Sequence, residues 1–410
     1  MAGFYDALER REPAERERAL LEALPAHLEH ARSRSEHYRR VLGGLDLGQV
    51  RSREALARLP VTRKSELAGL QKAKPPFGGL NATPAAGLAR IFMSPGPIFD
   101  PEGRRPDYWR TARTLFAAGF RPGDVVLNCF SYHLTPAGSM LETGLHHLGC
   151  AVIPGGVGQT EMQAQAIACL GPSGYVGTPS FLKLILEKSD ELGLASGSVQ
   201  RALLSGEAFL PPVRGFLAGR AIAAFQAYGT ADLGMVAYET EAREGLVLNE
   251  DMILEIVRPG TGDPVGEGEV GEVVVTPFNA DYPLVRFATG DLSATLPGAS
   301  PCGRTNVRIK GWMGRADQAT KVRGMFVHPQ QVAEVLRRHG LARGRLVVEN
   351  EAGEDRMTLQ VEGEGADAAL AQAVEATVRE VMKLRGAVAW RAPGTLPNDG
   401  KVIEDARRYS

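Results

Sequence analysis

The chain has 410 residues, too many for one small core, so at roughly 150 residues per domain two or three domains are expected. Its 44% apolar content is that of a globular protein, and a formal net charge of −1 without a long block of like charge excludes an electrostatic footprint for nucleic acid. No stretch comes near the roughly eighteen apolar residues that span a bilayer, and the start MAGFYDALERREPAERERALLEAL alternates acids and arginines, so a cytoplasmic chain without membrane contact is expected.

In chain order, residues 4–42 read as helices, with Leu20, Leu21, Leu24 and Leu28 on one face and Pro25 opening a new segment. LPVTRKSELAGL reads as a turn and a capped helix start. IFMSPGPIFDPEGRRPDYW, residues 91–109, follows a plausible strand and precedes a helix, the place where a nucleotide-binding protein puts a phosphate loop. From 121 onward strands alternate with helices: GDVVLNCFS, CAVIPGG and GYVG as strands, PAGSMLETGLHHLG as a helix stopped at Gly149, then QTEMQAQAIACLG and PSFLKLILEKSDELG as helices. QRALLSGEAF and RAIAAFQAYGTADLG add two strands, each ending in a polar glycine turn. Such alternation predicts a parallel sheet covered on both faces, whose ligands bind in loops beyond the carboxyl ends of its strands. The turns at 205–207 and 228–230 lie in that kind of place.

From about residue 247 the texture becomes antiparallel: LVLNEDMILEIVRPGTGDPVGEGEVGEVVVTPF reads as a hairpin, followed by LVRFATGDLSATL. Beyond GRADQ, the expected hinge, GRLVVEN and RMTLQVEG pair as strands, and residues 366–385 carry Leu370, Val374, Val378 and Val381 at helical spacing up to Gly386. The expected fold class is therefore α/β: a large N-terminal domain, 1–316, with parallel sheets flanked by helices plus a β-rich subdomain, and a small mobile α+β C-terminal domain, 317–410. Cys129, Cys150, Cys169 and Cys302 lack CxxC spacing and read as plain thiols.

Singly, SGE, YGT and TGD are common turns, and each could be no more than that. Their order says more: LLSGEAF, AYGTADLG, LVRFATGDL, GRADQATKVRGMFVHPQQVAEVL and LPNDGKVIEDAR follow one another along the chain. This series resembles the motifs of the adenylate-forming superfamily, and more narrowly its phenylacetate-CoA ligase branch. LPVTRKSEL resembles that branch's LPFTTKxDL, and GCAVIPGGVGQTEMQAQAI with GYVGTPSFL resembles its GATVIPxxxGxTxRQ and TPSY, so the likeness extends over nearly the whole chain.

The resemblance implies a role for each matching residue. Ser205, Gly206 and Glu207 would line the adenine edge with Ala227 and Gly229, and Tyr228 would offer a ring face to the base. Thr230 would donate its hydroxyl to the α-phosphate; Asp232 stands where the family has Glu, as a carboxylate for Mg²⁺, and Ala231 replaces a frequent Thr. Asp291 would clamp the ribose, Arg315 would reach the nucleotide and Asp317 would be the hinge aspartate. Lys401 would meet the carboxylate oxygen and α-phosphate during adenylation; without the flanking LPNDG and VIEDAR it would read as a solvated lysine.

Two departures stand out. Relatives carry SSGTTGKP at the phosphate loop, where MSPGPIFDPEG keeps Ser94 and Gly96 but lacks both threonines and the lysine, and Pro95 and Pro97 remove two amide donors. ATP is then held mainly by Mg²⁺ and by arginines such as Arg104 or Arg105, or a nucleotide is bound without efficient turnover. The zinc cluster of some relatives would need a second Cys where Ser300 stands beside Cys302 and a His where Val247 and Leu248 stand, so no zinc is expected. CFSYHLTPAG and IPGGVGQT should form the acid pocket, with Tyr132 and His133 pointing into a crevice and Pro136, Ala137, Gly138 and Gly155 to Gly158 leaving room for a flat apolar acid; His133 could equally be a turn residue. The expectation is an acid–thiol ligase using ATP, Mg²⁺, coenzyme A and an aromatic acid, with a homodimer compatible. An adenylylating ligase of the same fold that acts on a cofactor or amine, and a non-catalytic acyl or nucleotide sensor, stand as alternatives.

Overall fold

The computed structural model describes residues 3–94, 97–318, 320–322, 325–351, 354–363, 368–397 and 401–407. They divide into two compact units: one of 1–258, 262–289 and 294–312, the other of 259–261, 290–293 and 313–410.

In the first unit a 22-residue helix, Pro13–Arg34, buries Leu24, Leu28 and Ala31. Pro25 does not open a new segment; it lies buried inside this helix. Its ring sacrifices one helical hydrogen bond, and burial of Leu24 and Leu28 on the same face keeps the helix continuous. Two short strands follow, β1 (Thr62–Arg63) and then β2 (Arg90–Ser94), which pairs with β3 (Ile98–Glu102) in an antiparallel hairpin closing at Ser94 opposite Ile98. The strands that flank the supposed phosphate loop thus pair with each other, while Pro95 and Gly96 lie outside the described residues.

The central sheet contains β4 (Val125–Asn128), β5 (Ala151–Ile153), β6 (Gly174–Gly177), β7 (Arg201–Leu204) and β8 (Ala223–Thr230), all parallel in the order β5-β4-β6-β7-β8. Successive residues alternate between two cores: Val126, Val176 and Leu203 enter one, Leu127, Tyr175 and Leu204 the other. The helices Ala137–Leu148, Thr160–Leu170, Pro179–Glu191 and Pro211–Gly219 return the chain between these strands. The third begins because Thr178 caps the Phe181 amide at 3.4 Å with Pro179 in the first turn, and it buries Leu182, Ile185, Leu186 and Ser189 at helical spacing.

The sheet then changes character. β8 continues to Thr230 with a register irregularity between Tyr228 and Gly229, and β9 (Gly234–Glu239), β10 (Leu246–Leu248), β14 (Thr295–Leu296) and β15 (Arg308–Ile309) extend it antiparallel, giving nine strands. YGT is therefore part of a bulged strand, and the turn proper falls at 231–233. A four-stranded sheet, β1-β13-β12-β11, combines β11 (Met252–Val257), β12 (Gly271–Pro277) and β13 (Phe287–Ser293) and shares a core with the N-terminal helix.

The second unit holds a small hairpin, β16 (Thr320–Val322) with β17 (Met325–Val327), and a sheet β20-β19-β18-β21 built from β18 (Gly344–Glu351), β19 (Glu354–Glu362), β20 (Ala387–Arg391) and β21 (Ile403–Asp405). Helices Pro329–Arg338 and Ala368–Met382 pack on its core; Val374, Val378 and Met382 are fully buried. The second helix stops at Lys383, which has φ 56°, not at Gly386. Gly386 serves close packing instead, since a Cβ there would lie 2.9 Å from Met357 Cε.

Candidate active site

The carboxyl ends of β7 and β8 are neighbours, with Leu204 paired to Gln226. Beyond β7, Ser205 Oγ donates to the Ala227 carbonyl at 2.8 Å and thereby ties this turn to the adjacent strand. Glu207 is exposed, and its Oε1 accepts from the Ser180 amide at 2.6 Å. That contact seats it at the start of the helix Pro179–Glu191, where a carboxylate complements the helix dipole. Tyr228 is 8% exposed; its ring belongs to the core, and its hydroxyl donates to Thr289 Oγ1 at 3.2 Å. Thr230 Oγ1 accepts from Leu233 N at 3.1 Å and keeps its own proton available. Only glycine fits at 234: φ is 76°, and a Cβ would fall 2.6 Å from the Trp109 carbonyl.

Asp232 has an unexpected partner. Lys64 Nζ donates to its Oδ2 at 2.6 Å across 168 residues of chain, with the Asp232 side chain fully buried and that of Lys64 25% exposed. Lys64 lies in LPVTRKSEL, and the likeness of that stretch to a branch motif was the one sequence signal for it. Asp100 faces the same place. It is 1% exposed, neither carboxyl oxygen has a hydrogen bond of normal geometry among the described residues, and burial together with the charge of Asp232 pushes its pKa up to about 8. Counted from Gly96 and Pro101 along SSGTTGKP, Asp100 occupies the position of the missing lysine. Burial and the two carboxylates raise the pKa of Tyr282, whose hydroxyl is also buried without a partner among the described residues. Arg104 and Arg105 are turned to protein acceptors, the Gly87 and Tyr108 carbonyls at 3.1 and 3.0 Å.

The expected acid pocket is organised by Asn128, which sequence reasoning did not single out. At the end of β4 its amide donates at 2.8 Å to both the Tyr132 hydroxyl and the Gly138 carbonyl, and its carbonyl oxygen accepts from Phe130 N at 3.1 Å. A polar residue closing a buried apolar strand was the available signal. Tyr132 is half-buried, and burial, then Glu142, raise its pKa well above the phenol range. His133 is exposed and does not point inward. Pro136 is buried; a Cβ on Gly138 would collide with the Tyr132 ring at 2.9 Å, and one on Gly155 with Gln163 Oε1 at 2.4 Å. Gln163 Nε2 holds the Gly155 carbonyl at 2.7 Å, and Met93 N bonds the Leu134 carbonyl at 2.8 Å, so the hairpin strand β2 is stitched to this loop.

In the second unit, Asp291 and Arg315 meet each other: Arg315 Nη1 donates to Asp291 Oδ1 at 3.1 Å, beside a backbone bridge between the two residues. Gly290, with φ 76°, permits this pairing, because a Cβ would lie 2.7 Å from Arg315 Nη2. Asp317 falls in the single turn Ala316–Gln318, and Gln318 Oε1 accepts from Val402 N at 2.9 Å, which links the expected hinge to the residue after Lys401. Lys401 is exposed; the preceding NDG, 398–400, lies outside the described residues. Cys129, Cys150, Cys169 and Cys302 are free.

A parallel sheet whose strand ends carry these turns is the frame of an AMP-binding enzyme, and the family model of that name, "AMP-binding enzyme", matches residues 108–277. The chain is 34% identical over 342 residues to a phenylacetate-coenzyme A ligase of Thermus thermophilus, covering 79% of this chain and 76% of the relative. A phenylacetate-coenzyme A ligase of Aromatoleum evansii is 30% identical over 379 residues, covering 88% of this chain and 84% of the relative. Among solved structures, an open conformation of 2-hydroxyisobutyryl-CoA ligase in complex with 2-HIB-AMP and CoA superposes with a TM-score of 0.84 at 25% identity, over 97% of this chain and 93% of that one. The chain belongs to the phenylacetate-CoA ligase family of adenylate-forming enzymes.

Proposed function

We infer that the chain joins a carboxylic acid to coenzyme A in two steps. The carboxylate attacks the α-phosphorus of ATP, expelling pyrophosphate and leaving acyl-AMP; the coenzyme A sulfur then attacks the acyl carbon and expels AMP. The observation that carries this is the side-by-side placement of Ser205–Glu207 and Tyr228–Thr230 at the ends of β7 and β8. The names of its relatives point to the same chemistry and favour an aromatic acid; Gly138 and Gly155 do not bear on it, since the Tyr132 ring and Gln163 fill the space beside them.

In this account the backbone of 205–207 and 227–229 cradles adenine. The Thr230 hydroxyl reaches the α-phosphate, Asp291 accepts from the ribose hydroxyls with Arg315 steadying it, and the Lys401 ammonium meets the charge that develops on the oxygens in transit. Asp317 supplies the hinge between 1–316 and 317–410. The residues present do not make a ready Mg²⁺ site: Lys64 already neutralises Asp232, and among the described residues no group of three metal-binding side chains occurs. Magnesium enters as part of the substrate, on the triphosphate. No helix among the described residues is long and apolar enough to cross a membrane; a cytoplasmic location and a homodimer complete the proposal.

One observation favours a second reading, nucleotide or acyl binding without turnover: the phosphate-loop position is a hairpin with a buried carboxyl in place of a lysine. Pyrophosphate release measured with a panel of aromatic and aliphatic acids, with and without coenzyme A, separates the two. Thioester detected by mass spectrometry supports the ligase; an adenylylated cofactor or amine points to a different acceptor; no pyrophosphate with any acid leaves only binding.

A further inference from the structure

Away from these turns, Arg110 poses a problem that the ligase chemistry does not solve. Its backbone is left-handed, with φ 59°, and the residue is 7% exposed. The guanidinium donates through Nη2 to the Leu233 carbonyl, while Nε and Nη1 are buried with no acceptor among the described residues. Burial and the neighbouring charge of Arg105 push its pKa down to about 10, and Asp251 and Asp107 act on it only at longer range, without an ion pair. A buried cation with unmet donors is costly unless an anion or water completes it.

Arg110 lines a cavity of about 210 Å³. The acids of its wall are largely engaged elsewhere. Asp107 Oδ1 accepts from the Thr111 and Ala112 amides at 2.8 and 3.1 Å, and Glu250 accepts from Arg16 and Arg11 at 3.2 and 3.4 Å. Arg113, also in the wall, is held by both oxygens of Asp6 at 2.8 and 2.7 Å. Arg105 and His147 are exposed on the rim, and Asp251 is the one wall carboxylate without a side-chain partner among the described residues.

We propose that this cavity binds a small oxyanion of the phosphate type, with Arg110 as its anchor and Arg105 and His147 on its rim. The size suits a single phosphate group, and the Arg110 guanidinium in the wall, with Arg105 and His147 at the rim, offers it positive charge. The occupant would also bear on the catalytic turn. Arg110 holds Leu233, the residue after Asp232, and Asn249 Nδ2 donates to the Arg110 and Met235 carbonyls at 2.8 and 3.2 Å, so an anion here braces the segment that carries Thr230 and Asp232. This site stands independently of whether the chain ligates acids.

The test is thermal unfolding of the full chain in inorganic phosphate, sulfate or pyrophosphate against chloride at matched ionic strength, without nucleotide. Phosphate and sulfate should raise Tm by about 2–4 °C at tens of millimolar. Arg110→Met should abolish the rise. Because that variant could fold poorly, Asp251→Asn provides a second reading: removing the one unengaged acid should tighten phosphate binding severalfold by calorimetry. Pyrophosphate acting like phosphate would identify the terminal phosphate as the shared group. Equal Tm in phosphate and chloride, or an Asp251→Asn variant with unchanged or weaker phosphate binding, would overturn the site and leave Arg110 a purely structural residue.

Discussion

The nucleoside side and the phosphate side of the proposed site are built on different principles. On the first, the ends of β7 and β8 lie side by side and the Ser205 hydroxyl ties the turn after β7 to β8; within the second unit Arg315 donates to Asp291. On the second, where the family motif would place hydroxyls and a lysine, this chain has two paired strands, a buried Asp100 and a lysine committed to Asp232. A protein can keep its grip on adenosine while losing most of its direct grip on the β- and γ-phosphates, because the two are made by separate segments with separate hydrogen bonds.

The largest effect is expected at the lysine that serves the phosphate side. Lys64→Ala leaves Asp232 buried and unpaired, which should cost about 2–3 kcal/mol of stability, a value below that of a fully buried pair because Lys64 is 25% exposed. Asp232→Asn in the same chain should recover most of the loss; denaturant unfolding of the single and double variants measures both. If Lys64→Ala is neutral, the pair is incidental.

On the nucleoside side, Asp291→Ala should weaken AMP binding by roughly 1–3 kcal/mol, since the ribose hydroxyls lose a charged acceptor and Arg315 loses one of its acceptors. Calorimetry with AMP reads this directly, and unchanged affinity would show that the ribose lies elsewhere. Lys401→Ala should slow acyl-AMP formation at least about tenfold, some 1.4 kcal/mol of transition-state stabilisation, while presynthesised acyl-AMP and coenzyme A still give thioester near the parent rate. Equal losses in both half-reactions would assign Lys401 a structural part.

A smaller, pH-dependent effect belongs to Asp100. Its folded pKa is raised to about 8 from an ordinary 3.8, so between these values the native state keeps a proton that the unfolded chain has released, and stability falls as pH rises through that window. Asp100→Asn, which cannot ionise, should therefore raise Tm by a few degrees at pH 8 and by much less at pH 5. A gain independent of pH would mean that Asp100 is not the titrating group.

Much of this frame was legible in the chain. The parallel strands announce themselves because Val125–Asn128, Gly174–Gly177 and Arg201–Leu204 are short apolar runs closed by glycine or polar residues, and Gly149 ends its helix in the left-handed conformation expected of it. Local rules failed where distant contacts overrode them. Pro25 stays inside a helix because the face around it is buried, Thr230 belongs to a strand because β9 folds back on it, and His133 faces solvent because the loop is pinned through Asn128 and Tyr132. The Lys64–Asp232 pair spans 168 residues, and Asp100 and Arg110 matter through burial, which no local pattern reports. Motif order singled out Ser205–Glu207 and Tyr228–Thr230 as candidates; it could not tell that Glu207 caps a helix or that Asp232 is already paired.

The contrast between the two sides is tested most directly by the affinities of ATP and AMP for the unmodified protein, measured by calorimetry in the presence of a chelator. With few donors reaching past the α-phosphate, the two nucleotides should bind within about threefold of each other, a difference under about 0.7 kcal/mol. A metal-free preference for ATP of a hundredfold would contradict the account and show that the hairpin grips the terminal phosphates after all.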